Sequence, residues 1–447
     1  MKSLKNTMVI VLSILLFFLS ACSNHVDKLE HRVSEASING NGRITIYIQE
    51  HDRVIKEAIN IYRVRNPQIE IDELIVYDYD EYNTKLYTEL MAGNGPDIFS
   101  FNIGTFNSLN KMVSSGVFYD LEPLIVPEMV SNFNTIVFDC GIIDNKRFFI
   151  PTSYFINTLW TLEGVVGQNT TSWEQFVVDL KNYRIHNNIN LDNGYLFSGT
   201  FSAYYYLLNS GLELINYQKK EAYFYTEECT RAINKYKEIY NMYCPNDRLI
   251  KYKLGDYDMI KEGSIFASFN AALLNPNNLW LSNSIVNQSM NLKMDIFAPP
   301  SFNSSGKYSA EPASLIAVNS KCMDIKCAFD FVKFILSKEI QKNKDMQGIP
   351  VNNEAITELL EKFENNDIEK EYKIINTNYG QIHTIPLPNK LGHKAETIIN
   401  NINSCQINDK DIILIIENDI QDFIDGKCTA KQAAENIQRK VMLILNE

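Results

Sequence analysis

The chain has 447 residues, with 42 Lys+Arg against 54 Asp+Glu, 45% hydrophobic residues and 21% charged residues. These values exclude disorder, collagen and coiled coil as the main state, and at about 150 residues per domain they predict two or three folded units. A formal net charge of −12 excludes general nucleic-acid binding, which needs a basic surface.

Lys2 and Lys5 form a short basic stretch, and an apolar run follows from Met8 to Leu19. A membrane-spanning helix needs about 20 apolar residues, so this run has the form of an export signal rather than a span. It ends in Leu19-Ser20-Ala21-Cys22, which resembles a bacterial lipobox. The resemblance implies removal of residues 1–21 and a diacylglyceryl thioether on Cys22, because two acyl chains anchor a protein stably where one does not. Residues 22–42 are polar and read as a tether from the membrane to the folded body.

Arg43–Gln49 alternates, with Ile44, Ile46 and Ile48 on one face, and is predicted as a strand. Val54, Ile55, Ala58, Ile59 and Tyr62 then recur at helical spacing until Pro67. Ile69–Val76 is a second strand, Tyr79–Met91 a second helix, and Asp97–Phe101 a third strand after the turn Asn94-Gly95-Pro96. This β-α-β-α-β order predicts a parallel sheet with right-handed crossovers. Thr105–Ser115 is a short helix. Phe138–Ile150 is a hairpin turning at Asp144-Asn145-Lys146. Thr171 and Glu174 stand at capping-box spacing for the next helix, whose Trp173 is a packing residue. Helices are predicted over Phe201–Leu212, Thr226–Met242, Tyr257–Glu262, Ile325–Ser337, Asn353–Phe363, Ile412–Gly426 and Thr429–Leu445, with strands at Met294–Ala298 and Ala313–Val318.

Catalytic signatures are missing. The sequence holds no G-x-x-x-x-G-K-[ST] loop, no G-x-G-x-x-G after a strand, no G-x-S-x-G elbow and no H-E-x-x-H. Beyond Cys22 lie Cys140, Cys229, Cys244, Cys322, Cys327, Cys405 and Cys428, with no C-x-x-C pair and no nearby His at zinc spacing. Their number is odd, so at least one is unpaired, and buried free thiols are the expectation. No metal or cofactor is expected.

Several stretches carry a family resemblance. "EAINIYRVRNPQIEI" resembles the helix and following strand of bacterial extracellular solute-binding proteins of the family that includes maltose-binding protein. "YNTKLYTELMAGNGPDIFSFN", "DNKRFFIPTSYFINTLW", "TTSWEQFVVDLKNYR" and "KEGSIFASFN" resemble further stretches of that family in order. So do the late strand, loop and helix from Asp295 to Gln341 and the C-terminal "FIDGKCTAKQAAENIQRKV". The matches run from about Arg43 to Glu447. The resemblance implies a periplasmic-binding-protein-like α/β fold, two discontinuous lobes joined by a hinge, with ligand bound between them. Lobe one is expected to comprise 43–150 and 306–360, and lobe two 151–305 and 361–447. The resemblance also implies a monomeric receptor on the outer face of the cell membrane. It would catalyse nothing itself and would deliver its ligand to ABC permease subunits.

In such a fold the loops at the carboxyl ends of the strands line the cleft. That places Glu50, His51 and Asp52 after the first strand, Asp52 being alternatively a helix cap, and Asn102 after the third. Tyr154 and Asn157 lie where the chain enters lobe two, on opposite faces by alternation. Tyr204 and Tyr205 sit at a helix start, Asn270 follows a strand, and Glu311 precedes one. Trp280, like Trp160, is a candidate platform for the C–H face of a sugar. The expected ligand is a carbohydrate, an oligosaccharide above all. Two features weaken that: Leu387, Leu391 and His393 occupy a stretch where sugar-binding relatives often carry a stacking aromatic, and the loop at Glu311-Pro312 lacks the family's glycines. A polyamine, phosphate ester or peptide is the alternative ligand, and carboxylates at Glu50, Asp52 and Glu311 would suit a cation. A sensor docking on a membrane kinase, or a polysaccharide-cleaving enzyme with two cleft carboxylates, are the alternative functions.

Overall fold

The computed structural model describes residues 42–49, 52–76, 78–106, 109–189, 194–217, 219–245, 255–369, 372–377, 380–407 and 409–446. The export signal, Cys22, the tether to residue 41, Glu50 and His51 lie outside the described residues.

Two sheets organise the chain. The larger runs in the order Ile349–Pro350, Ile150–Phe155, Ser309–Val318, Ile98–Phe101, Arg43–Gln49, Glu70–Val76, with Ser404–Cys405 added alongside Ser309 and Ala310. Its β-α-β-α-β half is parallel, and Ser309–Val318 runs antiparallel to both of its long neighbours. The smaller sheet runs Met294–Phe297, Thr158–Leu162, Ala267–Asn270, Phe197–Gly199. The chain first leaves the larger sheet after Phe155 and enters the smaller at Thr158, so the crossing falls at 156–157 and Ile150–Phe155 stays with the larger sheet. Glu311 and Pro312 lie within the Ser309–Val318 strand rather than before it, at a bulge between Pro312 and Ser314.

Local sequence accounts for these elements. Ile44, Ile46 and Ile48 are at most 1% exposed, and Val54, Ile55, Ala58, Ile59 and Tyr62 form the buried face of Arg53–Arg65. Asp78 caps Tyr79–Met91 by accepting from the Glu81 amide at 2.8 Å. Ser172, not Thr171, caps Trp173–His186, accepting from the Gln175 amide at 3.2 Å. The hairpin is shorter than expected: Ile142–Ile143 pairs with Lys146–Arg147, while Phe138 ends a helical turn and Ile150 opens a sheet strand. Asp144 and Asn145, both at positive φ, make the turn.

Some elements carry no sequence expectation, two helices and a hairpin among them. Pro276–Met290 and Asn389–Asn400 are helices, and Ile374–Thr377 pairs with Gly380–His383. The helix Pro276–Met290 belongs to a core that also takes in Ile44, Ile296, Phe331 and Leu391. That core is therefore continuous from the larger sheet to the smaller. A second core holds Trp173, Phe197, Phe269 and the two C-terminal helices Lys410–Ile424 and Ala430–Asn446.

Candidate functional site

Strand direction brings the site together. Arg43–Gln49, Ile98–Phe101 and Ile150–Phe155 all end at one edge of the larger sheet, where Ser309–Val318 begins. Thr158–Leu162 leaves that edge, and the smaller sheet's other three strands end beside its start at Gly199, Asn270 and Phe297. Carboxyl ends of strands from both sheets thus converge on the crossing 156–157, the position that holds ligands in open α/β folds. Gly199 is needed there: it has φ +92°, and a Cβ would stand 2.1 Å from the Phe269 carbonyl oxygen.

On the larger sheet's side lies an open recess with an empty volume of about 620 Å³, mouth included, lined among others by Gln49, Asp52, Asn102, Ser153, Ser314 and Gln347. Asp52 does not cap its helix through its side chain. Its carboxylate accepts from the Gln49 amide at 3.3 Å and from the Ser100 hydroxyl, joining the ends of two parallel strands. Asn102 uses its Oδ1 to accept from the Tyr79 hydroxyl at 2.7 Å and the Gly104 amide at 2.9 Å. The Gln49 Nε2 is buried with no hydrogen-bond partner among the described residues.

On the other side, Asn157 donates from Nδ2 to the Thr200 carbonyl at 2.7 Å, while its Oδ1 is buried and unpartnered. Tyr154 is fully buried with an unpartnered hydroxyl, and burial pushes that phenol well above its ordinary range. Asn270 is half-buried and accepts from the Ala272 amide at 2.9 Å.

Glu311 is the titratable group of most consequence. Enclosure pushes its carboxyl up to about 7, against the opposing hydrogen bond from Tyr204, and its Oε2 has no partner among the described residues. Tyr204 is buried, and its amide donates to Glu417 at 2.8 Å. Tyr205, half-buried beside it, is pushed up by burial and by the carboxylates of Glu311 and Glu417. Glu417 went unnoticed in the sequence because it lies on a C-terminal helix, 213 residues from Tyr204.

Trp280 is not the stacking platform expected of it. It is 5% exposed, stacks on Phe363 at 4.7 Å, and donates from Nε1 to the Ile385 carbonyl at 2.9 Å. One ring face and its only polar atom are taken, so it is a packing residue rather than a platform. Trp160 is 2% exposed against Tyr257, and Trp173 is surrounded by five aromatic rings. Among the described residues no group of three or more His, Cys, Asp or Glu is gathered as a metal would require.

The fold has counterparts among solved structures. The chain is similar in structure to an extracellular solute-binding protein family 1 member from Alicyclobacillus acidocaldarius, with TM-score 0.63, 18% identity, 91% of this chain and 98% of that chain covered. It is similar to the ABC substrate-binding protein Lmo0181 from Listeria monocytogenes in complex with cycloalternan, at TM-score 0.58 and 16% identity over 89% and 97% of the two chains. It is also similar to the sugar-binding protein MalE from Xanthomonas citri, at TM-score 0.66 and 11% identity over 90% and 97%. At these identities the likeness establishes the fold. No curated protein matches the sequence. A model of the bacterial extracellular solute-binding proteins matches residues 57–369, most of the folded body, and the chain belongs to that family.

Proposed function

We propose that the protein is a lipid-anchored receptor on the outer face of the cell membrane. In this reading it captures a carbohydrate, an oligosaccharide above all, by closure of its two lobes. It then delivers the ligand, as a monomer and without chemical change, to the permease of an ABC importer. Cys22 carries the lipid. One observation supports the ligand class most: around the crossing, Gln49 Nε2, Tyr154 OH, Asn157 Oδ1 and Glu311 Oε2 are buried with no partner among the described residues. Donors and acceptors left unpaired at a site are costly, and a set mixing amide, phenol and carboxyl groups matches the alternating donors and acceptors of sugar hydroxyls. The named binding partners of the similar proteins, cycloalternan among them, point the same way. Ligand contacts are assigned to Gln49, Asp52, Asn102, Tyr154, Asn157, Tyr205, Asn270 and Glu311, with Tyr205 supplying the ring face that the tryptophans do not.

The test is thermal unfolding of the full chain against oligosaccharides, polyamines and sugar phosphates. A ligand at 100 times its Kd stabilises by about 2.7 kcal/mol, a shift of several degrees. A shift with one glycan series and none with amines supports the reading. A response to amines alone overturns it in favour of a cationic ligand held by Asp52 and Glu311.

A further inference from the structure

Cys140 and Cys405 lie 265 positions apart in sequence, yet the helical turn Thr135–Phe138 that leads into Cys140 packs against Ser404–Cys405, and the two thiols interact. Both are free and half-buried. We propose that this pair is an oxidation site, closing to a disulfide that fastens residues 401–407 to the turn Asp139–Gly141.

Both partners are held in place. Cys140 sits in the turn Asp139–Gly141, and Arg147, 2% exposed, grips the residues just before it. Its guanidinium donates to the Phe138 carbonyl and to Asp139 Oδ1, the latter at 2.8 Å, and its Nε donates to Glu122 at 2.9 Å. Gly141 completes the turn because a Cβ there would stand 1.9 Å from the Phe149 carbonyl oxygen. Cys405 is in register with Ala310 of the Ser309–Val318 strand. The preceding residues are pinned too: Asn403 exchanges hydrogen bonds with Tyr308 at 3.1 Å in both directions, and Ser404 meets Ser309 at 2.6 Å between hydroxyls. Two thiols held together by two rigid supports lose little freedom on bonding, while the cross-link removes much freedom from the unfolded chain.

Location favours oxidation, since a member of an extracellular family works where disulfides persist. The oxidant is a small-molecule disulfide. Cys140 Sγ, as thiolate, attacks one of its sulfurs, the oxidant's S–S bond breaks, and the first leaving thiolate takes up the proton that Cys140 lost. Cys405 Sγ then attacks the Cys140 sulfur of the mixed disulfide, its proton leaving with the second thiol. The protein loses two electrons and two protons, and the oxidant becomes two thiols. Burial, the Cys140 thiol and Glu311 all oppose ionisation of Cys405, so Cys140 makes the first attack.

The experiment uses the full chain treated with oxidised glutathione, blocked with iodoacetamide and digested without reduction. Mass spectrometry is expected to find a peptide pair joined through Cys140 and Cys405 that separates on reduction. The oxidised chain is expected to melt several degrees above the reduced one, and Cys140→Ser is expected to melt at the same temperature under both conditions. Alkylation of both cysteines after oxidation of the folded protein would overturn the proposal, as would pairing of either with another cysteine.

Discussion

The Tyr204 hydroxyl donates to the Glu311 carboxylate, joining a helix that follows the smaller sheet's edge strand to the longest strand of the larger sheet. The contact bridges the two sheets beside their crossing. It also leaves one carboxylate oxygen without a partner.

Glu311 gives the protein a pH-dependent stability term. Its folded-state pKa of about 7 lies above the ordinary 4.5. Between those values the unfolded chain releases a proton that the folded chain keeps, so stability falls as pH rises through the window and stays lower above it. Glu311→Gln keeps a hydrogen-bonding side chain without the ionisation. Its stability relative to the parent is expected to grow from pH 4.5 to 7 and then level, by at most about 3 kcal/mol. Denaturant titrations of both proteins across that range check this, and a pH-independent difference would contradict it.

Asn157 ties the crossing to Thr200 and presents an unpaired Oδ1. Asn157→Ala is expected to weaken ligand binding about 10-fold or more, the loss of one or two hydrogen bonds at an enclosed site. Calorimetric titration of variant and parent with the stabilising ligand measures it.

Trp280→Ala tests the packing assignment. Emptying the space against Phe363 is expected to cost about 3–5 kcal/mol of stability, with the Kd of the folded fraction unchanged. An affinity loss at unchanged stability would return Trp280 to the binding site.

Asp97 separates architecture from binding in the same way. Its Oδ2 accepts from the amide and hydroxyl of Thr45, each at 2.8 Å. Asp97→Ala leaves those donors unpaired and is expected to cost about 1–3 kcal/mol in a denaturant titration without altering ligand affinity.

The fold was most legible where one face of an element is buried. Ile44, Ile46 and Ile48 alternate because only one side of their strand meets the helix Arg53–Arg65, whose apolar spacing shows the same one-sided burial. The helix Pro276–Met290 left no such pattern, because Ser282, Asn283 and Ser284 are buried along with Leu279 and Ile285. Its ends alone carried a signal: Asn275 accepting from the Asn277 amide, Pro276 in the first turn, and Asn291 at positive φ as the stop. Missing that helix is what left Trp280 looking like a free aromatic. At the site, strand ends pointed to Asp52, Asn102, Asn157 and Asn270. The joining of Glu311 to the Tyr204 hydroxyl and of the Tyr204 amide to Glu417 depends on residues more than 100 positions apart, which no local spacing encodes.

Small-angle X-ray scattering of the full chain tests most directly whether the two lobes close on a carbohydrate. Profiles are recorded without ligand and with the glycan that gives the largest thermal shift. Capture by closure predicts a smaller radius of gyration in the saturated sample, and a loss of that change in Asn157→Ala at the same glycan concentration. An unchanged radius at saturation would contradict capture by closure.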